Sequence, residues 1–417
     1  MQFETALAFA QKLDRTDPLK SYRKLFHIPK INGQEAIYLC GNSLGLQPKS
    51  AEKHIKTELY DWKNLGVEGH LHAKNPWLYY HHFFSESISN LVGAKKSEVV
   101  VMNQLSVNLN LMLISFYRPK GKKIKVLMQA NEFPSDYYAV EQQIKLHGLN
   151  PKKCLVEVMP RKGEITLRTE DVIDKIKELK DELALVMFSA INYYTGQLYE
   201  IEKISKACCE HRIVFGLDLA HAIGNVPLQL HKWNVDFATW CSYKYLNSGP
   251  GGVSGVFVHE YHAKNFDLPR LAGWWGNDEK TRFKMPKHFV PQPGAAGWQL
   301  SNAPVLSMAT HKASLEIFDK AGMRAIRQKS EILTGYLRWL IEQNPTSDFR
   351  IITPLNVHER GAQLSIQTLN NGKKIFDKLT KAGVIADWRE PDVIRVAPAP
   401  LYNTYTDVWR FAQLLCT

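Results

Sequence analysis

This 417-residue chain has no apolar run near the roughly 18 residues a membrane-crossing helix needs. Its longest apolar runs, LALVMFSA (183–190) and VVVMN (99–103), are only strand-length. The six cysteines (Cys40, Cys154, Cys208, Cys209, Cys241 and Cys416) include no C-x-x-C pair, so neither a zinc framework nor a disulfide scaffold is expected. Reduced cysteines among apolar residues behave as small hydrophobes and fit a reducing compartment. No repeat and no low-complexity linker interrupts the chain. The formal charge is +12, yet Lys and Arg are scattered in pairs such as Lys95-Lys96 and Lys122-Lys123. Without a block of like charge or a basic stripe, nucleic-acid binding is not expected. The opening MQFETALAFAQKLDRTD lacks a basic leader, carries Glu4 among apolar residues and reads as an amphipathic helix. A cytoplasmic protein without a membrane span is the expectation.

What is present is a rhythm. From about residue 97 to 260, short apolar runs alternate with helix-length amphipathic stretches. The runs are KIKVLMQ, CLVEVMP, ALVMFS, RIVFGLD, DFATW and GVSGVFVH. Continuous apolar strands alternating with helices predict an α/β fold with a mostly parallel sheet covered on both faces. After about residue 310 the texture changes. One long helix over 311–343 leads into FRIITP, GAQLSIQ, GVIADWR and DVIRVAP, which predicts a smaller C-terminal α+β domain. The expected division is an N-terminal segment 1–50 packing with the small domain, a large domain 51–309 and a small domain 310–417.

In open α/β sheets, ligands bind beyond the carboxyl ends of the strands. RIVFGLD ends in Asp218, with His221 three residues on. The next strand, DFATW, is followed by CSYKYLNSGPGG, which carries Lys244. A pyridoxal cofactor needs such a pair: a lysine amine for a Schiff base, and a carboxylate that keeps the pyridine nitrogen protonated. Alone, the pattern is weak, because a lysine in a loop is usually a surface lysine.

The stretch GLDLAHAIGNVPLQLHKWNVDFATWCSYKYLNSGPGGVSGVFVHE resembles the cofactor segment of kynureninases, which are fold-type-I pyridoxal-phosphate enzymes. LCGNSLG (39–45), MNQLSVNLNLMLISFY (102–117), EFPSDYYAVEQQIKLHG (132–148), FSAINYYTGQLYEI (188–201), GWWGN (273–277), GWQLSNAP (297–304) and IRVAPAPLYN (394–403) resemble further kynureninase motifs in family order. The resemblance spans nearly the whole chain. It implies hydrolytic Cβ–Cγ cleavage of kynurenine to anthranilate and alanine in tryptophan catabolism, with Lys244, Tyr243 and Asp218 catalytic.

The same resemblance implies the remaining contacts. Leu105 and Ser106, with Ser106 read as a helix N-cap, would meet the cofactor phosphate. Phe133 would stack on the pyridine ring, Asp136 would bond its phenolic side, and Pro134 and Ser135 of the same run are further contacts. Ser189 and His221 would touch the cofactor, and Tyr243 its phosphate. Trp274 and Asn302 match residues that reach a neighbouring subunit's site, which implies a homodimer with shared active sites. Arg395 would grip the substrate α-carboxylate with its two-pronged fork. His70 and Asn302 match the subtype that favours the 3-hydroxylated substrate, so activity on 3-hydroxykynurenine is expected as well.

Two rivals remain. A cysteine desulfurase-like lyase would carry a histidine directly before the lysine, where this chain has Tyr243, and an activated cysteine. A non-catalytic pyridoxal-phosphate-binding protein would have no need of the full set of Asp218, His221, Tyr243, Lys244 and Arg395. No metal is expected. His70-x-His72 and His81-His82 lack suitable carboxylates nearby, and 78–93 reads as a helix with an aromatic face.

Overall fold

The computed structural model describes residues 2–262, 265–343 and 348–416. Its large sheet has seven strands: β1 (Val99–Val101), β2 (Lys125–Gln129), β3 (Leu155–Val158), β4 (Leu183–Ser189), β5 (Val214–Asp218), β6 (Phe237–Trp240) and β7 (Gly255–Val258). They lie in the order β1-β7-β6-β5-β4-β2-β3, and all but β7 run the same way. The strands read as unbroken apolar runs because both faces are covered. Leu127, Val186 and Phe188 enter one core, whereas Val126, Met128, Leu185 and Met187 enter the other. Alternation of side chains along a strand makes this the only way to bury every position.

Helices α1 (Leu7–Thr16), α2 (Ala51–Leu65), α3 (Leu105–Phe116), α4 (Pro134–Leu146), α5 (Thr169–Glu178) and α6 (Ile201–Glu210) precede or flank these strands. The single helix expected over 311–343 is two, α7 (Val305–Ala321) and α8 (Met323–Glu342). Gly322 stands between them at φ +73°, a left-handed value that ends a helix and that glycine adopts without a Cβ penalty. α7 packs on α2, while α8 joins the smaller C-terminal core.

That core backs a four-stranded antiparallel sheet of β8 (Phe349–Ile351), β9 (Leu364–Thr368), β10 (Asp387–Arg389) and β11 (Val393–Val396), ordered β8-β9-β11-β10. Helix α9 (Tyr405–Cys416) closes it. Phe9, Leu13 and Leu39 from the start of the chain are buried in the same core. Asp14 on α1 accepts hydrogen bonds from Tyr405 N (2.6 Å) and Thr406 N (3.1 Å), which satisfies free amides at the α9 N-terminus.

The LCGNSLG loop lies against the segment carrying Lys244. Gly45 N donates to Tyr243 O at 2.8 Å, and a Cβ on Gly45 would overlap Asn247 Oδ1 and the Lys244 carbonyl. Gly45→Ala is therefore expected to cost roughly 1–3 kcal/mol of stability, read as a lower thermal midpoint. An unchanged midpoint would show that the two loops have slack.

Candidate active site

Five neighbouring elements aim their ends at one cleft. Asp218 ends β5 in register with Ser189 at the end of β4 and Thr239 on β6. Tyr243 and Lys244 lie just past β6. Helices α3 and α4 start on the far wall. Leu105, Ser106, Phe133, Ser135, Ser189, Asp218, His221, Tyr243 and Lys244 line a cavity of about 150 Å³. Pro134 occupies the first position of α4 beside them. Ser106 is not the helix cap: Gln104 holds that place, and Ser106 stands in the first turn with its Oγ 2.9 Å from Ser135 Oγ. Two helix N-termini, both rich in free amides, thus meet at a pair of hydroxyls, a setting that favours an anion.

Lys244 Nζ lies 3.1 Å from His221 Nε2 and 5.8 Å from the centre of the Phe133 ring. Burial, reinforced by the positive charge of Lys244, holds the His221 pKa well below the usual range. A neutral ring that accepts from Lys244 Nζ at Nε2 carries its own proton on Nδ1, and among the described residues Nδ1 has no partner.

Beneath the cleft lies a knot of acids. Asp218 Oδ1 accepts from Ala220 N at 2.6 Å. The Asp136 carboxyl stands against that of Asp218, and neither of its oxygens meets a donor. Burial first, then Asp218, then Glu132 push the Asp136 pKa well above the carboxylate range. Burial also raises Asp218, against the pull of Lys244. Two buried carboxyls in contact cannot both stay ionised, so the pair retains a proton. Asp136, expected at a cofactor's phenolic side, thus lies against Asp218.

Glu132 was missed in the sequence. It accepts from Gln129 Nε2 (2.6 Å), Phe133 N (2.7 Å), Ser189 N (3.2 Å) and Ser189 Oγ (2.8 Å), tying two cleft residues to one buried carboxyl. Its position directly before FPSD was the available signal. Gln104 and Tyr193 also line the cleft unpredicted.

Arg395, only 1 % exposed, touches the cleft through Tyr193. Its Nη1 donates to Tyr193 O (2.6 Å), while Nε (3.2 Å) and Nη2 (2.8 Å) donate to Asp387. Three of five donors are used, which leaves one N–H on each terminal nitrogen for a ligand.

The other expected residues do not join the cleft within this chain. His70, Trp274 and Asn302 line a second cavity of about 550 Å³ with Leu78 and Phe283. The His81-His82 pair, expected to lack a carboxylate, has one: His82 Nε2 is 3.3 Å from Glu279 Oε1. The expected helix over 78–93 is a 3-10 segment (Trp77–Phe84) followed by a short α-helix (Ser85–Val92). Among the described residues no helix is long and apolar enough to cross a membrane.

Comparison with known proteins resolves the family. The kynureninase C-terminal domain matches residues 326–415, and an O-phosphoseryl-tRNA(Sec) selenium transferase family matches 81–232. Kynureninase of Myxococcus xanthus is 52% identical over 99% of this chain and 97% of its own length. That of Koribacter versatilis is 50% identical over 99% and 97%.

The chain belongs to the kynureninase family.

Among solved structures, a cysteine desulfurase from Thermococcus onnurineus superposes with a TM-score of 0.75 at 16% identity, over 97% of this chain and 96% of that one. The lyase C-DES, described with glycine covalently linked to its PLP cofactor, gives 0.76 at 15%, over 91% and 96%. At such identity the match speaks for the fold alone: this is the fold-type-I architecture shared by pyridoxal-phosphate enzymes. The desulfurase alternative loses its support, because kynureninases, unlike desulfurases, match half the residues over the full chain.

Glu132 makes the stability of the fold depend on pH. Burial lifts its pKa from 4.5 to about 7. The folded protein then holds a proton that the unfolded chain releases, so this group's contribution to stability falls as pH rises from about 4.5 to 7. In thermal melts of the apoprotein, wild type should lose ground to Glu132→Gln across that window. A difference independent of pH would contradict the assignment.

Proposed function

We propose that this kynureninase-family chain is a pyridoxal-phosphate-dependent hydrolase that cleaves the Cβ–Cγ bond of L-kynurenine, releasing anthranilate and L-alanine, and acts on 3-hydroxykynurenine too. The observation that carries this reading is identity of about half the residues, end to end, with proteins named kynureninase.

The residues present fit the cofactor. Unpartnered buried atoms at Asp136 and His221, and paired hydroxyls at two helix N-termini, are what a pyridine ring and a phosphate would use. Leu105, Ser106 and Ser135 would hold the phosphate with Tyr243. Phe133 would cover the ring, Ser189 and His221 would flank it, and the Asp218–Asp136 pair would keep its nitrogen protonated. Bound pyridoxal phosphate supplies an electron sink for charge developing at the substrate Cα.

The chain's own groups handle protons and position. The two free N–H groups of Arg395 grip the α-carboxylate. Lys244, held beside neutral His221, takes the Cα proton, as a base within hydrogen-bond reach does. Burial, with Cys241 nearby, keeps the Tyr243 hydroxyl protonated, so it can donate near the γ-carbonyl as water adds and the Cβ–Cγ bond breaks.

The second cavity belongs to the same reading. His70, Trp274 and Asn302 lie outside the Lys244 cleft, and exposed Val67, Leu71 and Phe283 line the same cavity. An apolar patch of this kind marks a protein interface. The reading is a homodimer in which each chain lends this face to its partner's cleft, with Trp274 and Asn302 near the cofactor and His70 and Asn302 near the aryl ring. It divides the chain into an N-terminal segment 1–50, a large domain 51–309 and a small domain 310–417, supported by the burial of Phe9 and Leu13 among C-terminal residues. A cytoplasmic place in tryptophan catabolism, feeding nicotinamide cofactor synthesis when the substrate is hydroxylated, completes it.

Purified protein supplied with pyridoxal phosphate should release anthranilate from kynurenine, and Lys244→Ala should lose essentially all turnover together with the visible absorbance of lysine-bound cofactor. Undiminished turnover in that variant would end the reading. In His70→Phe, kcat/KM on 3-hydroxykynurenine should fall about tenfold or more, the worth of one buried hydrogen bond, with kynurenine little changed. Equal effects on both substrates would remove His70 from recognition of the ring hydroxyl.

A further inference from the structure

Away from the cleft, two imidazoles stand nearly face to face. His81 and His82 have ring centroids 4.2 Å apart and planes 33° from parallel. Glu279 arrives from far along the chain. One nitrogen of each ring and one Glu279 oxygen all lie within 4.8 Å of one another. His81 is only 3 % exposed, and neither of its nitrogens has a hydrogen-bond partner. Leaving a buried polar atom unmet is costly, so this ring calls for a ligand that the described residues do not supply.

We propose that His81, His82 and Glu279 form a binding site for a divalent transition ion of the zinc type. Two imidazoles and one carboxylate are a borderline-soft donor set, with positions left over for water. Burial first, then His82 and Arg282, hold the His81 pKa down at about 3, so its lone pair is free at any ordinary pH. Ligand bonds of about 2.0–2.2 Å require the three groups to close in. His81 is fixed by its surroundings, whereas the side chains of His82 (49 % exposed) and Glu279 (33 %) have room to swing inward. The Arg282 guanidinium, seated over the Trp275 ring, works against any cation here, and Glu279 offsets it.

Two other histidine groups differ from this one. Glu98, His231 and His259 also cluster, but their atoms are engaged: Glu98 Oε1 takes His231 Nδ1 (2.9 Å) and Glu260 N (2.8 Å), while His259 bonds His231 O (3.2 Å) and Tyr261 N (3.3 Å). That group is a saturated hydrogen-bond network. His311 is buried with both nitrogens unpartnered, yet belongs to no such cluster among the described residues. Among the described residues, only His81 combines an unmet ring with two further donors.

An ion here would tie the Trp77–Phe84 segment to the loop that carries Trp274 and Phe283, both walls of the second cavity. The test uses holoenzyme without a histidine tag, stripped by a chelator and titrated with Zn²⁺ against a chromophoric competitor. One ion per chain should bind and raise the thermal midpoint. His82→Ala and Glu279→Gln, both at partly exposed positions, should each weaken binding at least the roughly tenfold that loss of even an outer-shell partner costs, and abolish the thermal gain. Absence of stoichiometric binding, or binding that both variants leave unchanged, overturns the proposal; the latter would locate the ion on the cofactor phosphate or elsewhere.

Discussion

The Asp136–Asp218 carboxyl pair sits at the end of a sheet whose two faces are both packed with apolar side chains, with Lys244 drawing on Asp218 from across the cleft. Ionised carboxyls in so dry a place are costly unless paired or protonated. Much of the local architecture answers that constraint. The Ala220 amide and Lys244 stabilise Asp218, Asp136 keeps a proton, and Glu132 is enclosed by four donor contacts. On the proposed assignment, the same constraint makes the pair a proton-holding partner for a pyridine nitrogen, which is how an electron sink is kept charged at neutral pH.

A second consequence concerns shape. Strand ends and helix starts give the chain one wall of a site, and loops far from them give another. The cleft at Lys244 holds every group needed to bind an anion and move a proton. The cavity at His70 and Asn302 is apolar with a few polar atoms, better suited to an aryl ring. That the two are separate in a single chain is what makes pairing of subunits part of the proposed mechanism rather than an accessory to it.

Much of this was legible beforehand. Asp218 and Ser189 end unbroken apolar runs, and Lys244 follows the next, so the rule that ligands gather at strand ends found them. Other features escaped for identifiable reasons. The helix start at Leu105 was misplaced by two residues because Gln104 and Ser106 are both polar neighbours of the first turn. The break at Gly322 was hidden because apolar periodicity runs on through 311–343, and a lone glycine is tolerated in many helices. Glu132 and Glu279 act through partners distant in sequence: Ser189 and His82 come to them only through the fold. Asp136 was found, but its contact with Asp218 was not, since no spacing rule reveals which carboxyls the fold brings together.

The most direct test of the central claim is nitrogen-15 NMR of holoenzyme carrying pyridoxal phosphate labelled at the pyridine nitrogen. The account predicts a protonated nitrogen through neutral pH in the wild type, and a proton lost at much lower pH in Asp218→Ala. An unprotonated nitrogen in the wild-type enzyme at neutral pH would contradict it.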